Sequence, residues 1–298
     1  MNKPVSWESQ TMFDPGPATP QDIATKTIER PVWSENKAQL VARYLHYFVF
    51  ITRHGTYIDA FAGPQTNLGA DAWAAELVLG NEPAWLRHFH LFDEDPTQAQ
   101  FLRGLAAEHR GRDVQVHEGN SNTRLPEVLP VGSIPEGEAT FCLLDQRTFE
   151  CAWKLCEHIA VLRPGDTKVE QFYFLADAWL PRAIAAISTD EGERRVVDWL
   201  GSDDWQSFVA LSSAERAEVF VEKFRHELGY RSVKPWPIYQ RAGGGGRTMY
   251  YMIHATDHVE APKLMYRAYV RAVDPPEPAD QLEMFLDDVA IDTGDPGE

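Results

Sequence analysis

The sequence contains little cysteine and no long apolar run among its 298 residues. Cys142, Cys151 and Cys156 form an odd number without the paired spacing of a zinc site, so we expect reduced thiols rather than a secreted disulfide framework. No stretch reaches the ~18–20 apolar residues that span a bilayer, and the N-terminal residues do not read as a signal peptide. The sequence therefore predicts a cytoplasmic protein that does not enter a membrane.

Positive charge is scarce as well. The formal net charge is −17, and nine acidic residues lie in the stretch 273–298, which has no Lys or Arg, so the remainder carries −8. An acidic globular part disfavours tight binding to a phosphate backbone, which normally requires a basic face. A nucleic acid stays possible as a partner only through a local patch.

Several catalytic signatures are missing. We find no Ser-His-Asp order with a nucleophile-elbow turn. The glycines at 243–246 precede an aromatic strand rather than a helix with Lys-Ser/Thr, so they predict a hairpin loop and not a phosphate-binding loop. His254 and His258 would share one face only on a helix, and the residues before them predict a strand, so a structural role is favoured and no metal site is predicted.

Composition divides the chain into three parts. Residues 1–32 are polar and rich in proline, which predicts a mobile N-terminal arm. Residues 33–272 carry the periodic apolar pattern of one folded domain. Residues 273–298 predict an acidic, disordered tail that contains one apolar island.

Within the domain, short apolar runs alternate with helical segments. The first helix is expected to begin with Ser34 as its N-cap and to end at His54-Gly55. Five predicted strands occupy 56–61, 88–93, 114–119, 139–145 and 169–177, and the intervening helices include 71–79, 96–109 and 148–162. This alternation predicts an α/β fold with a doubly wound, mostly parallel sheet. A charged helical stretch at about 180–230 reads as an insertion before the sheet resumes.

The first strand ends in the stretch YIDAFAGP, which predicts a ligand site. Asp59 closes the strand, and a small corner of Phe61, Ala62 and Gly63 follows. Such a corner offers backbone N–H groups to a ligand, but the carboxylate would repel a phosphate. A cationic ligand fits better, and S-adenosylmethionine carries a sulfonium and an ammonium without any phosphate. The structural alternative for Asp59 is an Asx turn.

Three further strand ends carry polar residues in a matching order. Asp93 or Glu94 after the second strand could accept hydrogen bonds from ribose hydroxyls, although a helix-capping role is equally compatible with this position. After the third strand, Gly119 would let the backbone approach an adenine, and Asn120 could hydrogen-bond to its edge. After the fourth, Asp145 and Gln146 would lie where a transferred methyl group emerges.

Together these segments resemble a known family. YIDAFAGP, HLFDED, EGNSN and FCLLDQ, with WSENKAQLVARYL upstream and YYMIHATDHVEAPKLM downstream, are similar to the three-Cys-motif partner proteins, bacterial proteins with a class I methyltransferase-like (Rossmann-like) fold. The resemblance runs from about 33 to 269. It implies a neighbouring iron–sulfur partner with a three-cysteine motif; the three cysteines of this chain do not have that motif's spacing.

The resemblance also implies site residues. It implies S-adenosylmethionine binding through Asp59, Phe61, Gly63, Asp93 and Asn120, with Lys37 and Asp145 near the pocket. Lys37 would be either catalytic or a salt-bridge partner of Asp59. Two departures stand out: Gln65 replaces a second glycine of the loop, and the run after Asp145 lacks the Asp/Asn-Pro-Pro-aromatic signature of amino-methylating DNA methyltransferases.

Two functions follow from these observations. The first is an S-adenosylmethionine-dependent methyltransferase of unknown acceptor, in which Asp145 or Gln146 orients the acceptor. The second is a non-catalytic accessory subunit of the iron–sulfur partner. That accessory role would be linked to DNA repair or mobile-element functions. The tail adds a further candidate partner, because Gln281, Leu282, Met284 and Phe285 resemble the peptide that docks on the bacterial sliding clamp, which would place the protein near replicating or repaired DNA. The alternative for this segment is a tail helix that packs on the domain.

Overall fold

The computed structural model describes residues 32–64, 73–240 and 247–273. Several predicted features lie outside these residues: nearly all of the N-terminal arm, Gln65, the glycines at 243–246, and the acidic tail from 274 onward with its apolar island. Residues 71 and 72, the first two of the helix expected at 71–79, lie outside them as well.

The described residues contain seven strands, which form one sheet. They are β1 Thr56–Asp59, β2 His88–Asp93, β3 Asp113–Glu118, β4 Thr140–Leu144, β5 Glu170–Leu175, β6 Ser232–Tyr239 and β7 Thr248–Thr256. The strand order is β3-β2-β1-β4-β5-β7-β6. Strands β1 to β5 pair in parallel, and β7 runs antiparallel between β5 and β6. The prediction of a doubly wound, mostly parallel sheet is confirmed, and β6 and β7 flank the four glycines as the arms of a hairpin do.

Ten α-helices cover the sheet in the same part of the chain. They are α1 Val32–Thr52, α2 Ala74–Leu79, α3 Pro96–Glu108, α4 Ser121–Val128, α5 Trp153–Ala160, α6 Leu180–Ala185, α7 Asp190–Leu200, α8 Trp205–Ala210, α9 Ser213–Glu222 and α10 Ala261–Val273. A π-helical turn, Lys223–Glu227, continues α9. Helices α6 to α9 occupy the stretch between β5 and β6 that the charge pattern assigns to a helical insertion.

Burial explains why the central strands read as apolar runs. Every residue of β1, β4 and β5 is buried, because helices cover both faces of the sheet there. One core joins the sheet to α1, α2, α3 and α10, and a second core joins the opposite face to α4, α5 and the insertion helices. The edge strand β3 alternates between exposed and half-buried residues instead.

The start of the first helix differs from the expectation. The described helix already includes Val32, so Ser34 lies inside α1 and not at its N-terminal boundary. The predicted end is close to the observed one. The Arg53 N–H still donates to the Val49 carbonyl at 2.8 Å, but Arg53 adopts a positive φ of 58°, so the helix ends at Thr52, two residues before His54.

Local caps and one buried ion pair hold the insertion in place. Thr189 caps α7, and Ser212 forms a capping box with Glu215 at the start of α9. The Arg216 guanidinium on α9 donates to both carboxylate oxygens of Asp177, just after β5, at 2.5 and 3.1 Å. This pair ties the insertion to the carboxyl end of the sheet.

Candidate functional site

A cavity of about 640 Å³ opens at the carboxyl ends of the parallel strands. The strand order reverses between β1 and β4, and this is the point where open α/β sheets bind ligands. Seventeen described residues line the cavity: Phe61, Gly63, Asp93, Glu94, Asp95, Gln98, Asn120, Ser121, Asn122, Asp145, Arg147, Phe149, Glu150, Ala152, Glu191, Arg195 and Asp198. Its volume is within the range of small-ligand sites.

Asp59 lies beneath the cavity and does not line it. The side chain is 2% exposed; its Oδ2 accepts from the Tyr57 hydroxyl at 2.8 Å, and its Oδ1 accepts from the Phe61 N–H at 3.2 Å. The second bond, between residues i and i+2, is the Asx turn that the sequence left open. Burial, more than any other cause, raises the pKa of Asp59 to about 7. Among the described residues that line the cavity, Asp59 is therefore not included, and its two oxygens are held by the protein.

The corner after β1 closes against the tip of β2. The Gly63 N–H donates to Asp93 Oδ2 at 2.9 Å, while Asp93 Oδ1 accepts from the Asp95 N–H at 2.9 Å. A Cβ atom at Gly63 would collide with the Asp93 carboxylate and lie 2.7 Å from Gln98 Cβ, so only glycine fits here. Burial is the main cause that raises the pKa of Asp93. Ala62, by contrast, is buried in the wall and hydrogen-bonds to the Phe92 carbonyl through its N–H.

Gln98 adds a polar group that the sequence reasoning missed. Its side chain is 8% exposed, and its Oε1 has no hydrogen-bond partner among the described residues. Buried polar atoms are normally paired, so this closed-off amide oxygen is an exception among the described residues. The sequence gives no signal for it beyond its place in the first turn of α3.

After β2 a neighbouring residue takes the capping role, and after β3 the candidate Asn120 is itself a helix cap. Asp95 caps α3 by accepting from the Thr97 N–H at 2.7 Å, which leaves Asp93 at the strand tip. Asn120 caps α4 by accepting from the Asn122 N–H at 3.0 Å, and its Nδ2 donates to Glu94 at 3.0 Å. The Asn120 side chain is thus held by the protein. Gly119 has a φ of +130° and does not line the cavity.

Asp145, after β4, is held by an ion pair across the fold. Lys37 on α1 is 3% exposed; its Nζ lies 2.8 Å from each Asp145 oxygen and 4.4 Å above the Phe174 ring. Lys37 therefore pairs with Asp145 and not with Asp59, contrary to the salt-bridge alternative. Asp145 reaches the cavity surface, but Lys37 does not.

Gln146 points away from the cavity. It is 1% exposed; its Nε2 donates to the Phe174 carbonyl at 3.2 Å, and its Oε1 accepts from the Cys151 N–H at 3.0 Å. Both ends of the amide brace the loop after β4 onto β5. The geometry gives Gln146 no contact with a molecule in the cavity, so its expected direct role in orienting an acceptor is replaced by a bracing role.

The opposite wall comes from residues that the sequence reasoning did not select. Arg147, Phe149 and Glu150 follow β4, and Glu191, Arg195 and Asp198 project from α7 of the insertion. The latter three recur at intervals of four and three residues, which places them on one helical face. That spacing is the one sign in the sequence that these three residues share a face. It does not reveal which part of the sheet that face of the helix meets.

The cavity is strongly acidic. Seven of its lining residues are carboxylates and two are guanidiniums, an excess of five formal negative charges. Burial is the main cause that raises the pKa of Glu150, whose carboxylate also accepts from the Arg147 N–H at 2.9 Å. This wall attracts cations and repels phosphates.

The histidines and cysteines lie elsewhere. His254, on β7, is buried with its Nε2 2.9 Å from Glu170, and His258 follows the strand. The three cysteines are buried and free, and burial raises the pKa of the Cys142 and Cys156 thiols. The part of the chain described here contains no group of three or more His, Cys, Asp or Glu side chains suited to a metal ion. In that same part, no helix has the length and apolar character to cross a bilayer.

The strand order with its antiparallel β7 defines a Rossmann-like fold of the class I methyltransferase type. No protein-family model matches the chain, and no curated protein matches it. Similar solved structures include TYW2 from M. jannaschii in complex with AdoMet, at 11% identity and a TM-score of 0.37, with 68% of each chain covered. Trm5b from Pyrococcus abyssi is 10% identical with a TM-score of 0.37, over 72% of this chain and 48% of that one. Precorrin-6y C5,15-methyltransferase from Geobacter metallireducens is 11% identical with a TM-score of 0.34, over 71% and 86%. Since these likenesses are slight, function must be argued from the cavity itself.

Proposed function

We propose that this protein is an S-adenosylmethionine-dependent methyltransferase. The observation that carries the proposal is an acidic cavity at the switch point of the sheet, closed by the contact between Gly63 and Asp93. A dinucleotide would bring phosphates into a wall with five excess negative charges. S-adenosylmethionine brings a sulfonium and an ammonium instead.

The residues present fit this ligand in three respects. The tip of β2 offers Asp93 and Glu94 as acceptors for ribose hydroxyls, since a carboxylate oxygen that accepts one backbone N–H can accept a further bond. The Gln98 side chain lines the wall, and its amide can hydrogen-bond to a ligand hydroxyl or amino group. Gly63 brings its backbone to the cavity wall beside Asp93, a close approach that any side chain would prevent.

When bound, S-adenosylmethionine supplies an electrophilic methyl group. The protein's own contribution is then position: Lys37 fixes the Asp145 carboxylate at the end of β4, and Gln146 holds the loop behind it. Asp145 can orient an acceptor and hold its proton, while α7 and Phe149 form the opposite wall of the cavity.

Calorimetric titration of S-adenosylmethionine and S-adenosylhomocysteine into the purified chain tests the proposal. We expect micromolar binding that weakens by at least about tenfold in Asp93→Asn, because the neutral amide replaces a carboxylate that accepts from the ligand. Asp113→Asn, an exposed carboxylate at the opposite end of the sheet, is the matched control and should bind like the wild type. The absence of binding at millimolar ligand in a folded protein would overturn the proposal.

A non-catalytic accessory role is a second candidate, favoured by one observation. Both groups expected to orient an acceptor are held by the protein: Asp145 by Lys37, and Gln146 by two backbone groups. Combined with the resemblance to three-Cys-motif partner proteins, this suggests a subunit that binds ligand beside an iron–sulfur protein. It predicts ligand binding without methyl transfer, and a stable complex with the three-cysteine protein on size-exclusion chromatography. Methyl transfer by the isolated chain would exclude it.

The tail motif supports a separate proposal about a binding partner, which rests on the sequence alone. A peptide covering 278–290 should bind a bacterial sliding clamp, and replacement of Phe285 by Ala should abolish the binding, because the aromatic ring is one of few apolar anchors. Equal binding of the two peptides would refute a specific docking role.

A further inference from the structure

Helices α1 and α10 carry charge of the opposite sign to the chain as a whole. The chain has a formal net charge of −17, yet no acidic residue occurs in 36–52 of α1 or anywhere in α10. Arg43 is an exposed cation on α1. Three more are exposed on α10 and form what we call the cationic stripe: Lys263, Arg267 and Arg271. They recur every four residues, which places them along one side of the helix.

The cationic stripe has few acidic partners in the described part of the chain. Lys263 forms an exposed pair with Glu260, whereas Arg271 donates to the neutral Tyr47 hydroxyl at 2.8 Å. No described carboxylate pairs with Arg267 or Arg271. The bond to Tyr47 also shows that the end of α10 lies beside α1. The stripe therefore offers positive charge to a further segment or molecule.

A second cavity, of about 220 Å³, opens between the end of α1 and the start of α10. Residues from the starts of β4 and β5 also line it, so it lies at the opposite edge of the sheet from the first cavity. Its lining includes acidic and basic side chains, but the two helices contribute an apolar side: Phe48, Ile51, Ala261 and Leu264. Ile51 is exposed there. An apolar side chain that entered this cavity would cover apolar surface that now meets water.

The chain itself supplies a segment of complementary chemistry. The stretch 274–298 follows α10 directly and has nine acidic residues and no Lys or Arg. Four of these acids recur every three residues, before and within the apolar island: Asp274, Glu277, Asp280 and Glu283. In an extended chain with three residues per turn, this spacing would put them on one side. The island then adds the apolar side chains Leu282, Met284 and Phe285.

Distance permits the island to reach the second cavity. From Val273 back to Ala261 the axis of α10 spans about 18 Å, at 1.5 Å per residue. The twelve residues from 274 to Phe285 can extend up to about 40 Å. The route from the end of α10 to its start runs along the cationic stripe. A segment that takes this route brings its acids to the stripe and its apolar residues to the cavity.

We propose that the stretch 274–286 folds back along α10 of the same chain, with its acids on the cationic stripe and Phe285 in the second cavity. Covalent linkage keeps this segment at an effective concentration on the order of millimolar, so individually weak contacts suffice. A docked Phe285 is hidden from other proteins. The contact therefore controls access to the apolar island, and it competes with the proposed binding of a sliding clamp. It is independent of the methyltransferase proposal.

Limited proteolysis of the full chain tests this contact. Chymotrypsin cleaves after Phe285, and the free peptide 278–290 gives the rate for an undocked segment. Cleavage at this bond in the protein should be at least about tenfold slower than in the peptide, because the rate follows the undocked fraction. The charge reversal R267E/R271E should bring the rate to within about twofold of the peptide. R103E/R110E makes the same charge change at exposed arginines on and just after α3, and this control should keep the protection.

A second variant leaves the described residues unchanged. D274N/E277Q/D280N removes three acids from the segment and should speed cleavage as R267E/R271E does. The two sets combined should add little further, because both remove the same contact. Equal cleavage rates for the wild type and the peptide would overturn the proposal, as would protection that survives both sets of changes. Protection that fades on dilution would also overturn it, by showing that the segment docks on a second copy of the chain.

Discussion

Breaking the ion pair between Lys37 and Asp145 should destabilise the fold strongly, and Lys37→Met tests this. The pair joins α1 to the end of β4 across 108 positions of sequence, with side-chain exposures of only 4% and 13%. Methionine keeps the length and apolar stem of lysine but removes the charge, so the variant leaves the Asp145 carboxylate without its partner.

The expected loss follows from the geometry. At the observed N–O distance of 2.8 Å, Coulomb attraction at an effective dielectric constant near 20 is on the order of 6 kcal/mol. Asp145 still reaches the cavity, so water recovers part of its hydration in the variant. Breaking a buried pair typically costs about 3–5 kcal/mol, and we expect a value near the lower end, about 3 kcal/mol.

Urea denaturation followed by tryptophan fluorescence measures the free energy of unfolding. The double variant K37M/D145N should lose clearly less than the two single variants together, because the second change removes the unpaired charge. Lys263→Met, which breaks an exposed pair between Lys263 on α10 and Glu260 just before that helix, is the control and should cost less than about 1 kcal/mol. A loss below about 1 kcal/mol for Lys37→Met, or additive losses in the double variant, would refute the reasoning.

Three further predictions follow from the described residues. Burial raises the pKa of Asp59 to about 7, so the folded protein holds a proton that the unfolded chain releases near pH 4. The contribution of this group to the free energy of unfolding therefore falls as the pH rises from 4 to 7, by roughly 4 kcal/mol at most. Between pH 5 and pH 7.5 the free energy of unfolding, measured by urea denaturation, should fall less for Asp59→Asn than for the wild type. An equal fall in the two proteins would contradict the burial argument. Gly63→Ala should weaken S-adenosylmethionine binding at least about tenfold by calorimetry, since its Cβ collides with the Asp93 carboxylate, whereas Gly104→Ala, with open space around it, should bind normally. Arg216→Met should lower the free energy of unfolding by about 3–5 kcal/mol, because it leaves Asp177 buried without its partner; a normal denaturation midpoint would show that the insertion is anchored elsewhere.

The sequence predicted the local elements and the chemistry of the strand tips. Apolar runs that are buried on both faces mark β1, β4 and β5, and the alternation with helical segments is a local pattern that requires no knowledge of distant contacts. The acids Asp59, Asp93 and Asp145 follow their strands in the sequence, and parallel strands bring their carboxyl ends to one edge. The negative character of the site could therefore be read from residue order.

The tertiary structure alone decided which of these residues face the ligand. Asp59 lies beneath the cavity because the corner at Phe61 folds over it, and Gln146 turns inward because its amide satisfies two buried backbone groups. Lys37 meets Asp145, and not Asp59, through the packing of α1 on the sheet. The face of α7 that completes the cavity depends on the anchoring of the insertion by Arg216 and its neighbours. Periodicity and strand order act over a few residues, whereas these contacts join positions far apart in the chain, so only packing of the whole fold selects them.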